Sequence, residues 1–204
     1  MKVAVTGNVA SGKSTLSRLW AREGVPLVRA DELARAVVEP GTEGLAAVAA
    51  AFGEDVLAED GSLDRSALRE LVFREPEART RLEGILHPLI LAMREEWMAE
   101  RETEGIRLAV AEIPLLFEVG LEKEFDVVVL VEAPPEERLR RLLEDRGFEE
   151  EEAQRVMDSQ MPSEEKRSHA HFVVHNAGSE EDLEIRALAL LDLLKARSAR
   201  GTTP

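Results

Sequence analysis

Residues Gly7 to Thr15 read GNVASGKST, directly behind the apolar run Val3-Ala4-Val5-Thr6 and directly ahead of a helical pattern. The spacing G-x-x-x-x-G-K-[ST] restricts the local fold to strand, tight loop, helix. Glycine is needed at both ends because the backbone must curl far enough to aim successive N–H groups inward at phosphate oxygens. The helix that follows adds its positive N-terminal end. Lys13 brings a mobile charge that reaches the β- and γ-phosphates of a nucleotide, and the Ser14 hydroxyl at the helix start is placed to bind Mg²⁺. Leu16, Leu19 and Trp20 recur at helical spacing until Gly24 supplies a stop. Gly7, Asn8, Val9, Ala10, Ser11, Gly12, Lys13, Ser14 and Thr15 are therefore the candidate nucleotide contacts.

Along the chain, short apolar runs alternate with helical patterns. Val3–Thr6, Pro26–Arg29, Leu108–Ile113, Val127–Val131 and Phe172–His175 suit a parallel sheet buried on both faces. The last helix opens with Ser179-Glu180-Glu181-Asp182, a capping-box-like start, and carries Leu183, Leu190, Leu191 and Leu194 as a core stripe. The fold class read from this is α/β, a doubly wound parallel sheet of about five strands flanked by helices. Two intervals are too long for simple connections. Residues 35–101 carry helical segments at Leu45–Phe52, Asp64–Phe73, Glu77–Leu86 and Leu89–Arg101, with a strand suggested only at Val56–Leu57. They read as an inserted helical subdomain. Residues 135–167, with a dense charge run, read as a mobile helical hairpin, a lid over the phosphate loop. Residues 1–34, 102–134 and 168–204 then form the nucleotide-binding core. There are no internal repeats, and Gly201-Thr202-Thr203-Pro204 is expected to be disordered.

Composition excludes several classes. With 204 residues and 44 % hydrophobic content the chain can bury a real core. No run has transmembrane length, and the given N-terminus is a strand rather than an export signal, so no membrane partner and a cytoplasmic location are expected. The absence of cysteine removes disulfides and thiolate metal sites. A net charge of −15 argues against broad nucleic-acid binding, which needs a basic face. Oligomeric state is not encoded legibly. The five lysines, Lys2, Lys13, Lys123, Lys166 and Lys195, leave no guanine-reading N-K-x-D element, and an LSGGQ transporter signature is also missing. The pattern suits a nucleoside- or metabolite-kinase architecture.

Outside the loop, Asp31 follows the second strand-like run, at the sheet edge where open α/β folds bind ligands. It reads either as a general base or as the N-cap of a helix beginning at Glu32. Glu112 ends the third run as a metal-assisting acid does, or is simply a charged strand end; Glu132 after Val127–Val131 competes for the same role.

These residues carry a resemblance. In the order and spacing of its motifs the chain resembles the dephospho-coenzyme A kinase family over nearly its whole length. The carriers are Thr6–Thr15, Ala30-Asp31 with Ala34-Arg35, Phe52-Gly53, Gly61-Ser62-Leu63-Asp64-Arg65 with Leu68, and Leu86-His87-Pro88-Leu89-Ile90. Pro114-Leu115-Leu116-Phe117-Glu118, the arginines around Arg138 and Arg141, Gln160, and Val173–Gly178 with Asn176 continue the series. It departs at Asn8-Val9-Ala10, where the family favours glycine, at His171, where it often has aspartate, and near Asp145-Arg146, where the hairpin fits with an offset of about one residue. The resemblance implies ATP-dependent phosphorylation of the ribose 3′-hydroxyl of dephospho-coenzyme A. Asp31 would accept the hydroxyl proton, with Arg35 and His87 on the acceptor; Asn176 would join the nucleotide site, and Mg²⁺ would be held by Ser14, Asp31 and Glu112. Arg138 and Arg141 would close over the γ-phosphate; alternatively they form a salt-bridged helix face with Glu136, Glu137 and Glu144. His87 before proline otherwise reads as a helix-start residue. Two other readings stay open at this point: a kinase for another small hydroxyl acceptor, and an ATP-binding regulator without phosphoryl transfer. Asp31 argues against the regulator, and the HPLI and PLLFE elements favour the first acceptor.

Overall fold

The computed structural model describes residues 1–200; the tail 201–204, expected above to be disordered, lies outside them. In chain order the elements are β1 (Lys2–Thr6), α1 (Lys13–Arg22), β2 (Leu27–Arg29), α2 (Ala30–Ala36), α3 (Glu43–Phe52), α4 (Arg65–Arg74), α5 (Pro76–Thr103), β3 (Ala109–Glu112), β4 (Val127–Glu132), α6 (Pro135–Glu144), α7 (Glu150–Asp158), α8 (Ser163–His169), β5 (Phe172–His175) and α9 (Glu180–Arg200). They divide into two compact units. The first is Met1–Val28 with the chain from Arg101 onward, and the second is Arg29–Glu100.

The sheet of the first unit runs β2-β3-β1-β4-β5. Its ladders are parallel, with Val5 opposite Glu112, Thr6 opposite Leu130 and Glu132 opposite His175. Consecutive β3 and β4 thus flank β1, and the loop that follows β1 emerges at the carboxyl edge where strand order reverses. Strands read as near-continuous apolar runs because helices cover both faces. The core gathers Val3, Val5, Leu16, Trp20, Val110, Val129, Val131, Leu183, Leu191 and Leu194. Trp20 is fully buried, and its indole N–H donates to the Ala187 carbonyl across 2.8 Å, which locks α1 to α9 without leaving a polar orphan. The start of α9 is a reciprocal cap: Asp182 N donates to Ser179 Oγ at 3.1 Å, and Ser179 N to Asp182 Oδ2 at 2.9 Å. The Ser179 hydroxyl and amide hold the Asp182 carboxyl below its ordinary range. Residues 135–167 form three helices where a hairpin was expected.

The second unit is helical. Its core joins Val37, Val38, Val48, Val56 and Leu68 with Leu82, Ile85, Leu86, Leu89, Ile90 and Met93. Two expected helices are one: α5 continues through Pro88. A proline inside a helix clashes with the carbonyl four residues back, here that of Gly84, the most adaptable residue available. The apolar stripe on both sides of Pro88 packs into the same core, and that burial outweighs the lost hydrogen bond. The strand suggested at Val56–Leu57 is instead a 3₁₀ turn over Glu54–Val56, with Leu57 in a single antiparallel bridge to Leu63.

Candidate active site

The phosphate loop has the strained geometry its glycines permit. Gly7 has φ +147° and Gly12 φ +101°; a Cβ at Gly7 would lie 2.2 Å from the Val131 carbonyl oxygen, and one at Gly12 would lie 2.2 Å from Asn176 Nδ2. Any side chain at either position breaks the loop. Between them Ala10 takes φ 58°, the one non-glycine positive φ among the described residues, which costs about 1–3 kcal/mol and persists only when neighbours enforce it. Arg141 is such a neighbour. Its Nη1 donates to the Ala10 carbonyl at 3.1 Å and its Nη2 to the Asn176 carbonyl at 3.3 Å, while Nε bonds Glu137 at 2.9 Å. Asn176, 5 % exposed, closes the arrangement by donating from Nδ2 to the Ser11 carbonyl at 2.8 Å.

Two more partners come from the segment before β5. Val9 N donates to Gln160 Oε1 at 2.7 Å, and Asn8 Nδ2 to the Met161 carbonyl at 3.0 Å. Lys13, 8 % exposed, folds back so that Nζ donates to the Asn8 carbonyl at 2.8 Å. Among the described residues, the buried Ser11 hydroxyl and Asn8 Oδ1 have no hydrogen-bond partner, so the loop carries polar capacity its own fold does not consume.

The two strand-end carboxylates have different partners. Glu112, 4 % exposed, accepts from Ser14 Oγ at 2.6 Å and from Ser17 Oγ at 2.5 Å. Register explains this: Glu112 is opposite Val5, so β3 ends beside the loop and α1 presents both hydroxyls to it. Glu132 goes elsewhere. Its two oxygens take Arg167 Nη2 at 2.8 Å each, and Oε2 lies 3.2 Å from His175 Nδ1. Hydroxyl and carboxylate oxygens side by side are a donor set suited to a hard cation such as Mg²⁺.

The two arginines separate as well. Arg141 lines, with Ala10, Gly12, Thr15, Arg146, Asn176 and Gly178, a cavity of about 400 Å³ beside the loop. Arg138 lines a different cavity, with Glu132 and Arg167. It is 6 % exposed: three residues of helical advance place the Arg141 guanidinium at the loop and that of Arg138 beyond β4. Of the salt-bridged face expected as the alternative, Arg141 has its pair with Glu137, and the adjacent Arg140 pairs with Glu137 and Glu144.

Sequence reasoning missed Lys166. It is fully buried, and its ammonium lies 2.7 Å from Glu118 of the Pro114–Glu118 element, which also accepts from Met161 N at 3.2 Å. A lysine in a run of charges gives no signal of burial.

In the second unit, Asp31 and Arg35 are exposed on α2, and His87 is exposed in the middle of α5. Asp31 is not the helix cap. The N-cap is Arg29 in extended conformation, no side chain caps α2, and Asp31 occupies its first turn. His87 is likewise not a helix start, because α5 runs through it.

Comparison with known proteins extends this picture. A family model described as dephospho-CoA kinase matches residues 1–182. The dephospho-CoA kinase of Anaeromyxobacter dehalogenans is 48 % identical over 200 residues, covering 97 % of this chain and 94 % of the relative. That of Frankia casuarinae is 47 % identical, covering 98 % and 86 %. Among solved structures, TT1252 from Thermus thermophilus superposes with TM-score 0.77 at 40 % identity, covering 95 % of this chain and 97 % of that one. Dephospho-CoA kinase from Campylobacter jejuni gives 0.75 at 30 % identity, covering 97 % and 100 %.

Proposed function

The chain belongs to the dephospho-CoA kinase family, which carries out the last step of CoA biosynthesis, and we propose how its own residues perform that phosphoryl transfer. Transfer through a loose transition state requires positioning and neutralisation of charge more than covalent help. Lys13 leaves the Asn8 carbonyl for the β- and γ-phosphates of ATP, and amides of the Gly7–Thr15 loop other than that of Val9, which Gln160 holds, take the phosphate oxygens. Asn176 and Arg141 keep the loop in shape and border the nucleotide cavity. Ser14 and Glu112 would hold Mg²⁺, with Asp31 as a further carboxylate, and the bound ion would supply charge neutralisation for the phosphates. Asp31 accepts the proton of the ribose 3′-hydroxyl as its oxygen bonds the γ-phosphorus and the bond from that phosphorus to the β-phosphate oxygen breaks, releasing ADP, and Arg35 and His87 contact the acceptor. Residues 35–101 serve acceptor binding, and 135–167 act as a lid. The observation that carries the reading is the Ser14–Glu112 pair at the mouth of a phosphate loop.

Among the described residues no helix is long and apolar enough to cross a membrane. The same proposal places the chain in the cytoplasm, and the net charge of −15 argues against a nucleic-acid partner. A turnover assay with ATP and Mg²⁺ against dephospho-CoA, adenosine, pantetheine and a free sugar tests the reading. Phosphate transfer to dephospho-CoA at least a hundredfold faster than to the others is the expected result; a preference for any other acceptor, or ATP binding without transfer, overturns it.

A further inference from the structure

The cavity that Arg138 lines is one the reaction above leaves unused. It measures about 670 Å³ and is bordered by the loop after β4, by α6, by the start of α8 and by the end of β5. It shares no lining residue with the cavity beside Gly12 and Thr15. Arg138 is more than nine-tenths buried, and among the described residues its Nε and Nη1 have no hydrogen-bond partner. The neighbouring carboxylate does not satisfy it: both oxygens of Glu132 are taken by Arg167, and one also lies near His175. Burial pushes the Arg138 pKa down, with the charge of Glu132 offsetting part of the effect. A guanidinium so placed is destabilising unless an anion completes it.

We propose that this cavity is a second ligand site, separate from the catalytic nucleotide, for a small organic phosphate. The guanidinium groups of Arg138 and Arg167 take the phosphate, which their planar forks suit. Pro134, Pro135 and Pro162 line the space left for the body of the molecule. The volume falls within the range of about 300–1,000 Å³ common for small-molecule sites. Glu164 on the lining adds a negative charge that disfavours a second anionic group on the same ligand.

The test uses the full chain with its phosphate loop first filled by a non-hydrolysable ATP analogue and Mg²⁺, so that added phosphate has no access there. Ribose 5-phosphate, inorganic phosphate and ribose are then titrated by calorimetry. One further equivalent of ribose 5-phosphate binds, more tightly than inorganic phosphate, and ribose does not. Arg138→Gln weakens that binding at least tenfold while its melting temperature without phosphate does not fall. Should Arg138→Gln fail to fold, Arg167→Gln at an exposed position weakens binding threefold or more. No second equivalent of ribose 5-phosphate, or equal affinity in the folded variants, overturns the proposal. Failure of the ATP analogue to bind appears in the first titration and counts against the nucleotide site alone.

Discussion

The Ser14 hydroxyl donates to Glu112 Oε1 across 2.6 Å, which joins the side chain at the start of α1 to the carboxylate at the end of β3. The pair is partly buried and unites residues 98 apart in sequence. Glutamine at position 112 keeps the size and an acceptor oxygen for the serines but loses the charge that a divalent cation requires. Glu112→Gln therefore raises the Mg²⁺ concentration for half-maximal turnover tenfold or more, with only a small fall in melting temperature. A Mg²⁺ titration of the steady-state rate checks this; an unchanged requirement takes Glu112 out of the metal site.

Arg141 and Arg140 are adjacent, yet their removal differs in consequence. Arg141→Ala frees the Ala10 and Asn176 carbonyls from a charged donor, for an expected stability loss of about 1–3 kcal/mol, and weakens ATP binding because the strained loop loses a tether. Arg140→Ala removes exposed pairs with Glu137 and Glu144, costs less stability than Arg141→Ala because water screens them, and leaves ATP binding nearly as it was. Denaturant unfolding and nucleotide titration of the two variants decide the matter: equal behaviour means that the contact with Ala10 has no energetic role.

Hydrogen bonding from Arg140, reinforced by the charges of Arg141 and Arg140, holds the Glu137 carboxyl at about 2 against an ordinary 4.5. The folded state thus prefers the ionised form. The stability this contributes is present in full above pH 4.5, declines as pH falls through that window, and is gone below about 2. Glu137→Gln flattens the acid limb of stability between those two values. Parallel acid limbs for variant and wild type would show the group to be uncoupled from folding.

Much of this was legible in order along the chain. Val127–Val131 and Phe172–His175 announce themselves as strands because a sheet covered on both faces needs unbroken apolar runs, and the loop from Gly7 to Thr15 needs its glycines where they stand. What escaped the sequence depends on partners distant in the chain. Glu112 and Glu132 both end strands and look alike until register places one beside Ser14 and the other beside Arg167. Arg138 and Arg141 share a helix and a charge run, yet burial separates their surroundings. Pro88 reads as a breaker by local rules, and only the core on either side of it explains a continuous α5.

Asp31 is the residue on which the proposed chemistry most depends, and its place in α2 sharpens the test. Because it stands in the first turn rather than at the N-cap, its structural contribution is the interaction of one negative charge with a helix N-terminus, about 0.3–1 kcal/mol. Asp31→Asn gives up that interaction and little else, so the variant folds with a slightly lower melting temperature. The amide cannot accept a proton at neutral pH. Loss of a general base costs about 10²–10⁴ in rate, and a loose transition state that needs the proton moved only late favours the lower end of that range. The expected result is a turnover loss on the order of a hundredfold with ATP affinity largely kept, read by steady-state kinetics with dephospho-CoA and by ATP titration of the same preparation. Wild-type turnover in well-folded Asp31→Asn would reduce Asp31 to a charge on a helix end and leave the 3′-hydroxyl without its base.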